Sequence, residues 1–500
     1  MTDKSAAAML EDSKISDTTM NDSSGISRRA VLGAGLAALA PRAALADPGL
    51  VMNDASRLNP TPVARHILRG PEPDEQRNAA LREALREAAA AGRPVAVGAA
   101  RHSMGGQSLP RDGIAITLDS RRVEPDTAAG VYRADAGAHW ADVIRTLDPI
   151  GFSPLVMQSN HDFGVASTFC VNAHGWPTPH GPFGSTVRSL RMMLADGSIV
   201  TCSRSENADL FAHAMGGYGL FGILLDLDVE MTANLSLLPT AEVMPAESFG
   251  PRFIDAVTRD PTVKMAYGRL SLTRARFFEQ ALLTTYRPDP SPPSPLPAAR
   301  HDSALTGLFN DIYRSQIGYE AMKAARWKLE TGVGASLAAG PVTRNTLMNE
   351  PVSNLANDDD RRTDILHEYF VGPERFVDFL HVCRDIIPRA KAEFINVTLR
   401  YIEPDAISRM AYAPTPRISA VMSFSQEMTP EGERDMAQMT QRLIDGVLSI
   451  GGAFYLPYRL HARRDQVERA YPATPAFVAR KREVDPGLLF RNAMWTQYFA

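Results

Sequence analysis

The chain has 500 residues, 44% hydrophobic and 22% charged, with a formal net charge of −4. It is long enough for two or three domains with a sizeable core, and too apolar to be globally disordered. The charge balance gives no basic excess that would favour nucleic acid. Three cysteines (Cys170, Cys202, Cys383) without a C-x-x-C spacing argue against a disulfide scaffold and against a cysteine-held zinc or iron–sulfur site.

The first 46 residues read as an address. A polar stretch leads to Ser27-Arg28-Arg29, then an Ala-rich apolar run, then Ala44-Leu45-Ala46 before Asp47. Paired arginines, a short apolar segment and an A-x-A site describe a twin-arginine-type leader, hence an exported or periplasmic protein. The run falls short of the roughly 20 residues of a membrane span, although association as an uncleaved anchor stays open. Gly33-Ala34-Gly35-Leu36-Ala37-Ala38 formally fits a dinucleotide fingerprint, but arginines precede it where a strand is required and Pro41 soon ends the run.

Beyond the leader, residues 74–91 predict a helix, Val95–Gly98 a short strand, Ile114–Leu118 and Val131–Ala136 strands, and Trp140–Leu147 a helix. Asp196-Gly197 between apolar runs predicts a hairpin. A helix over Glu206–Ala214 and a strand over Ile223–Glu230 follow. Prolines 288–297 mark an exposed connection, and Asn345–Asp360 a second loop. Leu366–Val371, Phe394–Tyr401 and Arg417–Phe424 read as strands, and Arg375–Ile387 and Glu431–Ser449 as helices. The fold class is α+β: one unit over 57–238, a second over 239–458 built as an antiparallel sheet with helices on one side, and a returning segment over 459–500.

Two stretches carry the chemistry. Val97–Ser108 runs from a strand into small residues and glycines, which let backbone N–H groups approach phosphates, with His102 in its midst. Gln158–Trp176 interleaves polar, small and aromatic residues without helix or strand period, as functional loops do. His161, Cys170 and His174 match no common zinc spacing, and no metal is expected.

In order, His102-Ser103, Asp162-Phe163-Gly164-Val165-Ala166-Ser167-Thr168, Asn172-Ala173-His174-Gly175 and Gly217-Tyr218-Gly219-Leu220-Phe221-Gly222-Ile223 resemble the vanillyl-alcohol oxidase (PCMH-type) flavoproteins, nearest the alditol and D-arabinono-1,4-lactone oxidases. The resemblance covers about residues 60–235. It implies a two-subdomain FAD-binding domain followed by a substrate-binding cap. It places FAD on Gly98, Ala99, Ala100, Arg101, His102, Ser103, Gln107, Ser108, Asp162, Ser167, Thr168, Asn172, His174, Gly175, Gly222 and Ile223. His102 falls where covalent members carry an 8α-histidyl link, and Arg101 replaces the usual glycine before the His-Ser pair. Arg400 fits the arginine of a Glu-x-Arg pair that faces the flavin, with Thr398 in place of the glutamate. Glu368 and Tyr455 join Arg400 as catalytic candidates, and His367, Tyr369, Tyr458 and Arg459 as pocket candidates. The implied activity is oxidation of a CH–OH group of a small-molecule alcohol or lactone by hydride transfer to flavin, with reoxidation by O2 or a respiratory electron acceptor. A dehydrogenase of a bulkier alcohol, such as a polyprenyl sugar or sterol, and a flavin carrier without turnover are the alternatives.

Overall fold

Strand Arg65–Arg69, helix Asp74–Ala90 and strand Val95–Gly98 form a parallel crossover, with strand Ile114–Leu118 inserted between the two strands. The helix buries Leu81, Ala84, Leu85 and Ala88, a one-face spacing, and opens on Asp74 and Glu75, whose charge suits its N-terminal dipole. The computed structural model describes residues 49–300, 310–332, 340–352 and 359–500. The leader reading and part of the Asn345–Asp360 stretch lie outside the described residues.

A second, antiparallel sheet has its long central strand at Ile223–Ala233, flanked by Val187–Met193 and Val131–Asp135, with Ile199–Ser203 and Val123–Asp126 at the edges. The predicted Asp196-Gly197 hairpin forms here, with Gly197 at φ 82°. Arg191 and Arg122 from this sheet reach Asp74 at the start of the first helix, which joins the two sheets by charge as well as by packing.

The third sheet has eight strands, all between residues 236 and 454. Its order is Val342–Thr343, Ser236–Pro245, Gln280–Pro288, Met265–Leu270, Glu393–Ile402, Arg417–Glu427, Arg362–Val371 and Ala453–Phe454, with every pairing antiparallel. Helices Ala246–Thr258, Phe376–Ile386 and Pro430–Ser449 pack on one another and on this sheet. Gly268 permits the closest contact, since a Cβ there would lie 2.2 Å from Phe249 Cζ. The opposite face of the sheet is left to line a cavity.

The chain then returns to the first sheet. Val95 N–H donates to the Leu489 carbonyl at 2.8 Å, and Asn492 Nδ2 donates to the carbonyls of Gln107 and Tyr218 at 2.9 and 3.2 Å. The chain departs from the sequence expectations at two places. Residues 165–171 fold into a helix, where an irregular loop is expected. Likewise Arg344–Met348 is a short helix capped by the Thr343 hydroxyl, at the start of a stretch expected to be loop.

Candidate active site

The strand ending at Gly98 runs into a loop that forms one wall of a cavity of about 620 Å³. Gly98 eases the close approach of this loop, since a Cβ there would sit 3.1 Å from Ser108 Cβ, a tight contact that the neighbour would have to relieve. Arg101 adopts φ 53°, the left-handed region that favours glycine, and its guanidinium ties the loop back to Thr117 Oγ1 at 2.6 Å and the Ile116 carbonyl at 3.3 Å. The resemblance-based glycine at this position thus has a conformational reason, and arginine holds the same turn at a cost in strain. Gln107 spends its side-chain amide within the protein, accepting from Gly105 N–H and donating to the Leu456 carbonyl. Ser108 Oγ is buried on the cavity wall without a protein partner.

The second wall is the segment around helix Val165–Val171. Gly164 lets it touch the first loop, since a Cβ there would lie 2.9 Å from Ala99 Cβ. Thr168 accepts from Trp140 Nε1 and donates to the Gly164 carbonyl, both at 2.9 Å, which pins the helix start. Gly98, Ala99, Ala100, Arg101, His102, Ser103, Gln107, Ser108, Ser167, Thr168, His174 and Gly222 all line the cavity. His102 packs against the Phe163 ring at 4.3 Å between centroids, and burial, more than the nearby charges, lowers its pKa and keeps its imidazole neutral at pH 7.

Four expected cofactor contacts have other duties. Asn172 ends the helix at φ 47°, donates to Asp405 and accepts from Gly184 N–H, each at 2.9 Å. Asp162 accepts from the Val352 N–H. Gly175 is small because a Cβ would collide with the Met157 carbonyl at 1.9 Å, and Ile223 is a fully buried core residue that opens the central strand. These four hold the walls in place and do not line the cavity.

The cavity continues onto the free face of the third sheet, where Arg400, Glu368 and Tyr455 all reach it. Side-chain alternation along strand Arg362–Val371 sends Glu368 inward and its neighbours outward. His367 instead faces Thr440 on the covering helix and bonds the Tyr369 hydroxyl, so neither of these two pocket candidates enters the site. Glu368 Oε1 accepts from His174 Nε2 and from Ser419 Oγ, and Oε2 accepts from the Tyr458 hydroxyl at 3.3 Å. Burial alone would push this carboxyl up, but His174, Ser419 and Arg400 outweigh it and hold it below the usual glutamate range. Arg400 is 5% exposed, and burial lowers its pKa to about 10, with Glu368 opposing. Burial and the Glu368 charge raise the Tyr458 pKa, so the phenol keeps its proton. At neutral pH the group is therefore a carboxylate, a guanidinium and a phenol. Tyr455 lines the cavity, but its hydroxyl donates to the Val171 carbonyl at 2.7 Å, while its N–H donates to the Glu368 carbonyl. Arg459 turns away, to Glu433 and Asn59.

Trp176, at the end of the stretch expected to be functional, lines the cavity, and so do Arg269, Tyr286 and Tyr313, which escape a reading of the sequence. Their signal is weak: Met265–Leu270 is a six-residue strand whose only charged residue sits among small and apolar ones.

The residues present fit a flavin dinucleotide. The cavity lies between two glycine-relieved walls. Ser108 Oγ, His174 Nδ1, Trp176 Nε1 and Gln158 Nε2 are buried polar atoms on its lining residues that lack protein partners. A large ligand with many hydrogen-bonding groups would satisfy them. Among the described residues no cluster of three or more His, Cys, Asp or Glu side chains could hold a metal ion, and no helix is long and apolar enough to cross a membrane.

Comparison with known proteins agrees with this cofactor. Residues 76–203 match the family described as FAD binding domain. The chain is 36% identical over 153 residues to cytokinin dehydrogenase 7 of Oryza sativa subsp. japonica, an alignment covering 29% of this chain and 28% of that protein. It is 30% identical over 156 residues to an uncharacterized oxidoreductase of the fasciation locus of Rhodococcoides fascians, covering 31% of this chain and 35% of that protein. Cytokinin dehydrogenase 4 of Oryza sativa subsp. japonica aligns over 239 residues at 25% identity, 43% of this chain and 44% of that protein. These alignments span between about a quarter and under a half of each relative's length. The chain therefore carries a PCMH-type FAD binding domain in an α+β fold, and FAD is its cofactor.

Proposed function

We propose that the chain is an FAD-dependent oxidoreductase acting on a CH–OH carbon of a small hydroxylated molecule, in the manner of the sugar-lactone and alditol oxidases. The observation that carries this reading is the convergence of Glu368, Tyr458 and Arg400 at the sheet end of the cavity whose other walls suit FAD. Bound FAD supplies the hydride acceptor for such a reaction. The protein's part is to handle the proton and the charge on oxygen. The Tyr458 hydroxyl, hydrogen-bonded to Glu368 Oε2, takes up the proton of the substrate hydroxyl while passing its own to the carboxylate. Arg400 offsets negative charge developing on the substrate oxygen from a buried and already fixed position. His174 and Ser419 hold Glu368 Oε1, so only Oε2 takes part. Tyr455, tied to Val171, fixes the segment that presents Tyr458.

The neutral, half-buried imidazole of His102 supports its role as a covalent 8α-histidyl ligand, since N-alkylation needs an unprotonated ring nitrogen. Acid precipitation tests this: flavin should stay with the wild-type pellet and leave it in His102→Ala. A leader of twin-arginine type supports a periplasmic location, with O2 or a respiratory carrier as electron acceptor; peroxide formation distinguishes the two.

The deciding experiment is anaerobic bleaching of the holoprotein by a panel of aldonolactones, alditols, hydroxy acids, sterols and a cytokinin. Glu368→Gln should slow bleaching by about 10²–10⁴-fold with flavin still bound. Unchanged bleaching in that variant would remove Glu368 from the reaction. Bleaching by the cytokinin alone would instead favour a cytokinin dehydrogenase, the activity for which two of the relatives are named.

A further inference from the structure

We infer that the substrate of this site carries a carboxylate, held between the guanidinium groups of Arg269 and Arg400. The inference rests on the oxidoreductase reading above and adds the class of molecule: a hydroxy acid in place of a neutral lactone or polyol.

The two arginines stand on adjacent antiparallel strands. Arg269 pairs in register with Thr398, two residues before Arg400, so both side chains leave the same face of the sheet as diagonal neighbours, about 7–8 Å apart at Cα. Both line the cavity. They repel each other, since Arg269 helps lower the Arg400 pKa.

Neither is neutralised by an ion pair among the described residues. Arg269 Nη1 donates only to uncharged oxygens: Asn396 Oδ1 and Thr398 Oγ1 at 2.7 Å, and the Val397 carbonyl at 3.5 Å. Arg400 Nη2 donates to Ser159 Oγ, and its Nε is buried with no partner at all. Glu368, the carboxylate that acts on Arg400, spends its lone pairs on His174, Ser419 and Tyr458. Elsewhere in the chain, sheet arginines face acids directly, as Arg133 faces Asp228 and Arg191 faces Asp226. Thr398 occupies the place where a carboxylate would have closed the pair internally. Two adjacent guanidiniums on one sheet face, neither ion-paired among the described residues, favour an anionic ligand, and a planar carboxylate matches the guanidinium fork. The cofactor's phosphates are expected on the Gly98–Ser108 loop, which belongs to a different sheet.

With the carboxylate held there, a neighbouring carbinol carbon gives up its hydrogen with the bonding electron pair to FAD, the two-electron acceptor. The hydroxyl proton leaves by way of Tyr458 and the C–O single bond becomes C=O. The carboxylate itself is unchanged.

The test titrates flavin-loaded protein with 2-hydroxyisobutyrate, whose carbinol carbon has no hydrogen to lose, against its neutral isostere 2-hydroxyisobutyramide and against inorganic phosphate. Perturbation of the flavin absorption band reports binding. The acid should bind about 10–100-fold more tightly than the amide, and Arg269→Gln should erase most of that preference while Arg269→Lys keeps part of it. Equal affinity for acid and amide in the wild type, or a preference that survives Arg269→Gln, would overturn the inference, and tighter binding of phosphate would overturn the carboxylate assignment. Bleaching by neutral alcohols without any acid preference would sink this inference and leave the oxidoreductase reading standing. An acid preference without bleaching by any hydroxy acid would sink the oxidoreductase reading, and with it the hydroxy-acid substrate, and leave only a carboxylate-binding pocket.

Discussion

Replacing Arg101 by glycine and by alanine separates two opposing contributions at one backbone position. Both substitutions remove the guanidinium bonds to Thr117 Oγ1 and the Ile116 carbonyl, worth about 1 kcal/mol each for a half-buried group. Arginine also holds φ 53°, which costs an L-residue roughly 1–2 kcal/mol relative to right-handed conformations. Glycine recovers most of that, less its larger loss of chain entropy, whereas alanine keeps the strain and has nothing to offset it. Arg101→Ala should therefore be less stable than Arg101→Gly by about 1 kcal/mol, a difference on the order of 1–3 °C in Tm. Thermal unfolding followed by circular dichroism on the two flavin-loaded variants measures it. An alanine variant as stable as the glycine variant would show that the left-handed turn carries no strain, and the account of this loop would fail.

Asn172→Ala should destabilise the protein by about 1–3 kcal/mol, because it strands the buried Gly184 N–H and removes one of the two donors to Asp405 Oδ2, the other being the Ser408 hydroxyl, yet leave the flavin spectrum unaltered; a shifted spectrum with normal stability would return Asn172 to the cofactor. Stability should also depend on Glu433. Burial pushes this carboxyl up, but His461 and Arg459 outweigh burial and bring it from 4.5 to about 2. A depressed carboxyl stabilises the fold above its unfolded pKa and loses that contribution as pH falls toward the folded value. Tm should accordingly fall between pH 4.5 and pH 2 in the wild type, and less steeply in Glu433→Gln; parallel curves would contradict the assignment.

What the sequence discloses follows from how local its causes are. Helix Asp74–Ala90 and helix Trp140–Leu147 carry their own apolar spacing, and the Asp196-Gly197 hairpin its own turn chemistry, so their limits are readable to within a residue or two. Helix Val165–Val171 is not readable, because its seven residues include two valines, Ser, Thr and Cys, all indifferent helix formers; its start is set by Trp140 and Gly164. Glu368, His367 and Tyr369 differ only by parity along one strand, and parity has no meaning until the helices cover one face of the sheet. Glycine-bearing walls are visible as motifs, whereas Arg269 becomes notable only beside Arg400, which lies far along the chain and two positions off register.

The bonds from Asn492 to the carbonyls of Gln107 and Tyr218, with Leu489 alongside Val95, have a temporal meaning. Two loops that border the flavin chamber are clasped by a side chain nearly four hundred positions downstream of the first of them. On the ribosome, the dinucleotide cradle must wait half-made while the intervening sheet is synthesised, and it is latched only after residue 492 has emerged. A chain stopped before that asparagine lacks this clasp, however much of the rest of the cradle has already formed.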